Sequence, residues 1–404
     1  MSNRNSHGRV VITGLGTFGA GGINVADLWQ NARSKCDISQ MRRLSSGSAI
    51  SVYAAPDPVL TAETTRSLRH ADRTACLAMA AASEAWTDAK LPLGDTDPLR
   101  IGVVVGSSRG PAALNAACGA GKPRRPTDSV YTAFSSIAGI VASSLKVEGC
   151  SIMVSATCTS GAVAAHSGFQ MLRSGALDIV LVGGVDAPLV DGLLEQMAVT
   201  GVLARGVGPG LLRPFAPDRD GTLLGEGAAF LVLESEASAF HRAVSSYGAL
   251  EGVAIGHEVD SRTRLDESGK GLQRVLHASL HQAARHLEDV DLIHLHGTGT
   301  RRNDAIESRC LYEVYGEATR QPLSWASKGV TGHTLGAAPL FQAILSLQAM
   351  RHSYLPGTAN CSELDETCAI RLNIGSGTAV PISTSVCLTS GFWGNVSSLV
   401  FGSS

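Results

Sequence analysis

One cysteine stands where an apolar run gives way to a segment of small residues. Residues 155–161 read Ser-Ala-Thr-Cys-Thr-Ser-Gly, after the β-type run Ser151–Val154 and before an alanine-rich stretch. If that stretch is a helix, Cys158 lies at its N-terminal end, where free backbone N–H groups and the helix dipole favour a thiolate. A thiolate attacks acyl groups, so the pattern indicates a nucleophile, with a buried, inert cysteine as the alternative.

Two distant segments place histidines beside glycines. The first begins at His296 and reads His-Gly-Thr-Gly-Thr; the second begins at Lys328 and reads Lys-Gly-Val-Thr-Gly-His-Thr-Leu-Gly-Ala-Ala, with its histidine at position 333. Both follow strand-like runs, and the carboxyl edge of an α/β sheet exposes functional groups at such turns. Each histidine alone is typical of a structural residue. With Cys158 they form a nucleophile, two imidazoles and a cation.

In this order the three segments resemble the elongating β-ketoacyl-acyl-carrier-protein synthases, a family with the thiolase fold. Residues 213–228 resemble the family's Arg-Pro-Phe, Arg-Asp-Gly and Gly-Glu-Gly-Ala signature. Residues 10–16 and 397–401 resemble its first and last strands. The resemblance therefore spans nearly the whole chain.

The resemblance implies a role for each of these groups. Cys158 would take an acyl chain from a carrier thioester, and its own backbone N–H would donate to the oxyanion. His296 and His333 would donate hydrogen bonds to the enolate that malonate decarboxylation creates. Lys328 would hold a fixed positive charge nearby, and Glu307 would pair with it.

Three further positions complete the predicted site. Phe392 matches the family's gating phenylalanine, and the backbone near it would supply the second oxyanion donor. Trp393 replaces a glycine of that gate and should stiffen or reshape it. Thr298 and Thr300 would line the passage for the phosphopantetheine arm. That arm arrives on the carrier protein, so the resemblance implies no cofactor.

Composition narrows the functional classes. The 404 residues are 44% hydrophobic and 17% charged, which predicts a large core in two units. A net charge of −2 without a dense basic tract argues against nucleic-acid binding. The apolar runs are too short to cross a bilayer and the polar N-terminus lacks a secretory signal, so we expect a soluble cytoplasmic protein. Nine cysteines without a C-x-x-C pair argue against a disulfide framework or a structural zinc site.

Alternating strand-like and helix-like runs predict an α/β fold with mainly parallel strands. A β-pair formed by residues 229–233 and 250–255 is expected in the middle of the chain. The second half repeats the element order of the first. The resemblance implies two duplicated βαβαβ halves in a layered α-β-α-β-α arrangement. We divide the chain into residues 1–245, with the nucleophile, and 246–404, with the His, Lys and His motifs and the gating loop.

Three other patterns compete with this interpretation. Residues 14–19 fit the dinucleotide fingerprint G-x-G-x-x-G, but no acidic residue closes a second strand, so we interpret them as a tight turn from strand to loop. Residues 106–110 fit G-x-S-x-G, which would make Ser108 a hydrolase nucleophile. His294 and His296 would share a strand face as a metal pair, although two ligands do not make a site.

The sequence thus predicts a decarboxylative Claisen condensation between an acyl group on Cys158 and malonyl-acyl-carrier-protein. The unusual gate favours specialised polyketide or polyene synthesis over housekeeping fatty acid synthesis. The alternatives are a non-catalytic chain-length partner subunit, a thiolase, or a Ser108 hydrolase. The expected partners are an acyl carrier protein and a second subunit, identical or resembling a chain-length factor, paired through residues 150–155.

Overall fold

The computed structural model describes residues 8–91, 96–120, 125–259 and 266–403, so the polar opening segment lies outside it. The strands are β1 (Val10–Gly19), β2 (Gln40–Arg43), β3 (Ala49–Val52), β4 (Ile101–Gly106), β5 (Ser151–Val154), β6 (Ile179–Asp186), β7 (Gly227–Ser235), β8 (Ala249–His257), β9 (Leu292–His294), β10 (Leu323–Trp325), β11 (Tyr354–Leu355), β12 (Thr378–Ala379), β13 (Thr384–Ser390) and β14 (Asn395–Gly402).

The helices alternate with these strands. They are α1 (Val25–Ser34), α2 (Ala62–Ser67), α3 (Arg73–Asp88), α4 (Ala112–Gly119), α5 (Asp128–Tyr131), α6 (Ser136–Ser144), α7 (Ser160–Arg173), α8 (Asp191–Val199), α9 (Glu236–His241), α10 (Lys270–Gln282), α11 (Arg301–Tyr315), α12 (Lys328–Thr331) and α13 (Ala338–His352). The sequence predicted one helix over residues 69–89. Asp72 instead begins α3, because its carboxylate accepts the N–H of Thr74 at 2.8 Å as an N-cap.

The main sheet has ten strands in the order β10-β9-β13-β14-β8-β1-β7-β6-β4-β5. Its outer pairs are parallel and its central pairs antiparallel, so the prediction of a mainly parallel sheet is wrong. Only strands joined by helical crossovers run parallel, whereas β13 and β14 are joined by a short turn. The predicted pairing of residues 229–233 with 250–255 is also wrong, because β1 lies between β7 and β8.

The strand order is symmetric about the β1–β8 contact, and each side carries its own helices. Helices α7 and α13 lie in the middle: α7 contacts β4, β6 and β8, and α13 contacts β13 and β7. On the outer faces α3 packs on β1 and β7, and α10 packs on β8 and β14. The result is the expected α-β-α-β-α layering. Helix α13 is buried on every side from Ala338 to Met350, as a helix in the middle layer must be.

The glycine-rich residues 14–19 lie within β1, so the predicted turn is wrong. A Cβ on Gly14 would lie 2.3 Å from the carbonyl oxygen of Ala85, and one on Gly16 would lie 2.1 Å from that of Ala81. The glycines therefore let the backbone of α3 approach the strand. None of the helices in the described ranges combines the length and the apolar character needed to cross a bilayer.

Candidate active site

Cys158 lies in the short connection between β5 and α7, two residues before the helix begins. The preceding Thr157 has a φ of 52°, a left-handed conformation that turns the chain sharply at this point. The thiol is buried, and its Sγ lies 3.2 Å from Nε2 of His333. The fold thus brings together a thiol and an imidazole that are far apart in the sequence.

Burial raises the pKa of Cys158 to about 12, although the charges of Lys328 and Arg109 and the backbone N–H of Phe392 oppose the rise. The sequence predicted a thiolate stabilised by the helix N-terminus. The structure differs, because desolvation outweighs these stabilising groups. Cys158 therefore keeps its proton at neutral pH and needs an acceptor, which the adjacent imidazole of His333 provides.

His296 follows β9 and is fixed through its backbone. Glu307 of α11 accepts the N–H of His296 at 2.6 Å and that of Gly297 at 2.7 Å. Gly297 has a φ of 49°, which lets the chain turn away from the strand. The segment therefore holds its imidazole in one orientation.

Lys328 fixes the tautomer of His296. Its Nζ lies 3.2 Å from Nδ1 of that ring and also donates to the carbonyl oxygen of His296. An ammonium group can only donate, so Nδ1 accepts and the ring carries its proton on Nε2. Burial and the charge of Lys328 hold the pKa of His296 well below its usual range, so the ring is neutral.

The predicted ion pair of Glu307 with Lys328 is absent from the ion pairs of the described residues. Glu307 instead binds the two backbone N–H groups and Nδ2 of Asn303, at 2.8 Å. Burial and the nearby Asp304 raise the pKa of Glu307, whereas the charge of Lys328 lowers it. Burial lowers the pKa of Lys328, and the charge of Glu307 opposes this. The charges of Glu307 and Lys328 thus shift each other's pKa although the two side chains form no ion pair among the described residues.

His333 follows the short helix α12 and is also neutral. Burial and the charge of Lys328 hold its pKa well below the usual range. Its ring meets that of His296 edge to face, with centroids 5.2 Å apart. Within the described residues its Nδ1 is buried without a hydrogen-bond partner. Two neutral imidazoles and one cation therefore surround the thiol.

The loop between β13 and β14 lies against the cysteine. A Cβ on Gly391 would lie 3.1 Å from the backbone N of Cys158. The carbonyl oxygen of Phe392 accepts from Oγ1 of Thr157 at 3.1 Å and from Nδ2 of Asn395 at 3.0 Å. Trp393 has a φ of 64° and is 58% exposed, so it adopts the left-handed conformation that the family's glycine would favour.

Thr298 and Thr300 lie between His296 and α11. Their hydroxyl oxygens are 2.9 Å apart, and Oγ1 of Thr300 accepts the N–H of Asn303 at 3.4 Å as the N-cap of α11. Thr298 is buried and Thr300 half-buried. Both hydroxyls thus contribute to the local structure of this segment.

Among the described residues, the possible metal pair and the hydrolase motif lack the additional side chains that their chemistry requires. His294 contacts Ser346 through Nδ1, at 3.0 Å, and Ser327 through Nε2, at 2.9 Å, so both ring nitrogens are occupied. No group of three or more metal-binding side chains occurs in the part of the chain that the structure describes. Ser108 donates its backbone N–H to Asp186, and no histidine in the described ranges hydrogen-bonds its hydroxyl.

The sequence interpretation missed two residues that position this site. Asp186 ends β6 and accepts from Oγ of Ser107 and from the N–H groups of Ser108, Arg109 and Gly336, at 2.7 to 2.9 Å. An acidic residue at the carboxyl end of a buried strand is the signal that could have revealed it. Asn303 lies one helical turn before Glu307, a spacing that brings the two side chains together.

Comparisons with known proteins show which family and which solved structures the chain resembles. The family model described as "Beta-ketoacyl synthase, N-terminal domain" matches residues 7–239, and that described as "Beta-ketoacyl synthase, C-terminal domain" matches residues 247–362. The chain is 30% identical to 3-oxoacyl-[acyl-carrier-protein] synthase 2 of Coxiella burnetii over 407 residues, covering 97% of this chain and 98% of that protein.

Two solved structures are similar over almost all of the chain. One is a type II polyketide synthase acyl-carrier protein in complex with its ketosynthase bound to the hexaketide, with a TM-score of 0.89, 28% identity and coverage of 99% and 100%. The other is the ishigamide ketosynthase/chain length factor, with the same TM-score, identity and coverage.

Proposed function

The chain belongs to the β-ketoacyl synthase family of condensing acyltransferases, and from this membership we propose that Cys158 carries the acyl group in a decarboxylative Claisen condensation. The acceptor is malonyl-acyl-carrier-protein and the product is a β-ketoacyl-acyl-carrier-protein. The observation that carries the proposal is the contact of a buried thiol with a neutral imidazole, with a second imidazole whose tautomer a lysine fixes.

In the loading step the sulfur of Cys158 attacks the carbonyl carbon of an acyl-carrier thioester. The S–C bond to the cysteine forms and the S–C bond to the carrier breaks. His333 takes the thiol proton on Nε2, 3.2 Å from the sulfur, and passes it to the departing carrier thiol. The backbone N–H groups of Cys158 and Phe392 would donate to the oxyanion that forms in between.

In the condensation step malonyl-carrier loses carbon dioxide and leaves an enolate. Because Nδ1 of His296 accepts from Lys328, its Nε2–H is available to donate to the enolate oxygen. His333 provides the second imidazole. The enolate carbon then forms a bond to the acyl carbonyl carbon, the S–C bond to Cys158 breaks, and solvent supplies the proton that restores the thiol.

The remaining assignments follow from the same site. Phe392 and Trp393 form the gate beside Cys158, and Thr298 and Thr300 line the path of the phosphopantetheine arm. The enzyme needs no cofactor of its own. Its pathway is specialised polyketide or polyene synthesis, which the similarity to a polyketide ketosynthase and the substituted gate support.

The partners we propose are an acyl carrier protein and a second subunit at the edge of the sheet. β5 is the last strand of the sheet order and pairs within the chain only with β4, as far as the described residues go. Its free edge can pair with a second copy or with a subunit resembling a chain-length factor. The two halves, residues 1–245 and 246–404, meet at the active site.

A second candidate is a non-catalytic chain-length subunit, which the similarity to a ketosynthase/chain length factor structure supports. Intact-protein mass spectrometry separates the candidates. We expect wild type to gain the mass of the acyl group from a panel of acyl-carrier thioesters, and Cys158→Ala to gain none.

The matched control is Cys76→Ala, which removes a half-buried thiol from α3, a helix on the outer face of the sheet. It should load like wild type. Absence of loading in wild type, with every donor and with a chain-length partner present, would refute the condensing function.

A further inference from the structure

The segment after β4 brings a cation to the cysteine. Residues 106–110 fit the hydrolase motif, yet the contacts of Ser108 give it no catalytic partner within the described chain. Arg109 of this segment has an exposed side chain. The proposed condensation uses the charge of Lys328 and leaves that of Arg109 without a role.

The backbone of Arg109 is held in place. Oδ1 of Asp186 accepts its N–H at 2.8 Å, and Oδ2 accepts that of Ser108 at 2.9 Å. The next residue, Gly110, has a φ of 59°, and a Cβ there would lie 2.5 Å from the ring of Phe134. The buried carboxylate and the left-handed glycine therefore fix the direction in which Arg109 leaves the backbone.

The guanidinium reaches the apolar surroundings of the thiol. Its Nη2 lies 3.9 Å from Sδ of Met197, and Met197 belongs to the same apolar cluster as Cys158. That cluster also contains Leu189, Leu194 and Leu335. The charge of Arg109 is close enough to lower the pKa of Cys158. An acyl chain attached to the sulfur and packed along this cluster would meet the guanidinium.

Among the residues that the structure describes, the guanidinium has donors without a matching acceptor. No ion pair among the described residues includes Arg109, and the thioether of Met197 is only a weak acceptor. An acyl chain that covers the guanidinium removes water from it, which is costly unless the chain supplies an oxygen. A saturated chain supplies none, whereas a keto or carboxylate oxygen accepts a charge-assisted hydrogen bond.

We infer that Arg109 is a specificity-determining residue that selects acyl chains bearing an oxygen acceptor over saturated chains of the same length. The inference rests on the proposed function, since it requires the acyl group to be on Cys158. It narrows the substrate class to oxygenated acyl thioesters.

The test measures the second-order rate of Cys158 acylation, by intact-protein mass spectrometry, with four pantetheine thioesters: hexanoyl, 3-oxohexanoyl, 5-oxohexanoyl and adipoyl. Each reaction forms the S–C bond to Cys158 and releases pantetheine as its thiol. Wild type should prefer at least one oxygenated donor over hexanoyl by about tenfold, the size expected for one charge-assisted hydrogen bond. The oxo and adipoyl donors distinguish a keto oxygen from a carboxylate.

Arg109→Met should abolish that preference, and Arg109→Lys should keep part of it. Arg320→Met, which removes an exposed arginine of the second half, is the control and should behave like wild type. Equal slowing of all donors in Arg109→Met, or a wild type without preference, would overturn the inference while Cys158 still loads. Failure of every donor to load wild type would refute the proposed function together with the inference.

Discussion

Asp186 and Glu307 are buried carboxylates in opposite halves of the chain, and both hold backbone N–H groups of the active site. Among the described residues, Glu307 binds groups of its own half: the N–H groups of His296 and Gly297 and the amide of Asn303. Asp186 binds Ser107, Ser108 and Arg109 of its own half and also Gly336 of the other. His296 is thus oriented from within one half, whereas the segment after His333 is docked across the two.

In the proposed condensation, this difference assigns the two carboxylates to different steps. His296 contacts the thiol through no hydrogen bond of the described residues, and His333 contacts it directly, at 3.2 Å. Substitution of Glu307 or of a group that it orients should therefore slow decarboxylation and leave the rate of Cys158 acylation unchanged. Damage to Asp186 should affect both steps, because it moves the His333 segment relative to Cys158.

The largest expected effect is that of His296→Ala. Removing a preorganised donor to a developing oxyanion costs about a hundredfold to a thousandfold in rate. We expect malonyl-carrier decarboxylation, followed by mass spectrometry, to fall by that factor while acylation of Cys158 continues. His277→Ala removes an exposed histidine from α10 and should change neither rate. A parallel loss of acylation in His296→Ala would contradict the separation of the two steps.

Asp186→Asn should slow both steps. Each oxygen of Asp186 accepts two hydrogen bonds, so an amide NH₂ in place of either oxygen opposes two donors. Leaving buried donors unsatisfied costs about 1–3 kcal/mol, and we expect about a tenfold fall in both acylation and decarboxylation. Ser107→Ala removes one donor and leaves the carboxylate intact, so its effect should be smaller. Loss of decarboxylation alone in Asp186→Asn would show that the carboxylate does not dock the His333 segment.

Glu307→Gln should affect one step only. Its amide group would oppose the N–H of His296 or that of Gly297. We expect decarboxylation to fall about tenfold, the unfolding free energy to fall by about 1–3 kcal/mol, and acylation to stay at the wild-type rate. The control is Glu313→Gln, an exposed position on the same helix. Equal loss of acylation would remove the contrast with Asp186.

These carboxylates also show what the sequence can predict. Short segments singled out Cys158, His296, His333 and Lys328, which the structure brings together, because each chemical group stands in a local pattern of strand and glycine turn. Asp186 was missed, since its partners Ser108 and Gly336 are 78 and 150 positions away. The contact of Glu307 was predicted wrongly for the same reason: its choice between Lys328 and the backbone depends on packing.

The strand directions and the protonation state of the Cys158 thiol also could not be predicted from the sequence. The run of residues 179–183 reads as a buried strand, but nothing local shows that β7 pairs with β6 in the antiparallel direction. A helix N-terminus could be read near Cys158, but the degree of burial that raises its pKa to about 12 depends on residues from the whole fold.

A smaller effect is expected from pH. Burial holds the pKa of Lys328 below the ordinary lysine value of 10.5, so the residue loses its charge as pH rises through that lowered value. Once Lys328 is neutral, its Nζ no longer fixes which ring nitrogen of His296 carries the proton. We therefore expect decarboxylation to decline severalfold in that pH range. In Lys328→Met the basal rate should be lower and this decline absent. A decline that persists in the variant would assign the titration to another group.

The smallest effect concerns Trp393, in the loop through which the second half also touches the cysteine. A left-handed conformation costs a non-glycine residue about 1 kcal/mol, and asparagine tolerates it better than tryptophan does. Trp393→Asn should therefore raise the unfolding free energy by about 0.5 kcal/mol, measured by urea denaturation. Trp393→Leu keeps an apolar side chain in the same strained conformation and should show no gain. A loss of stability in both variants would mean that the partly buried indole contributes more by packing than its backbone costs, and the loop would then be a fixed contact between the halves.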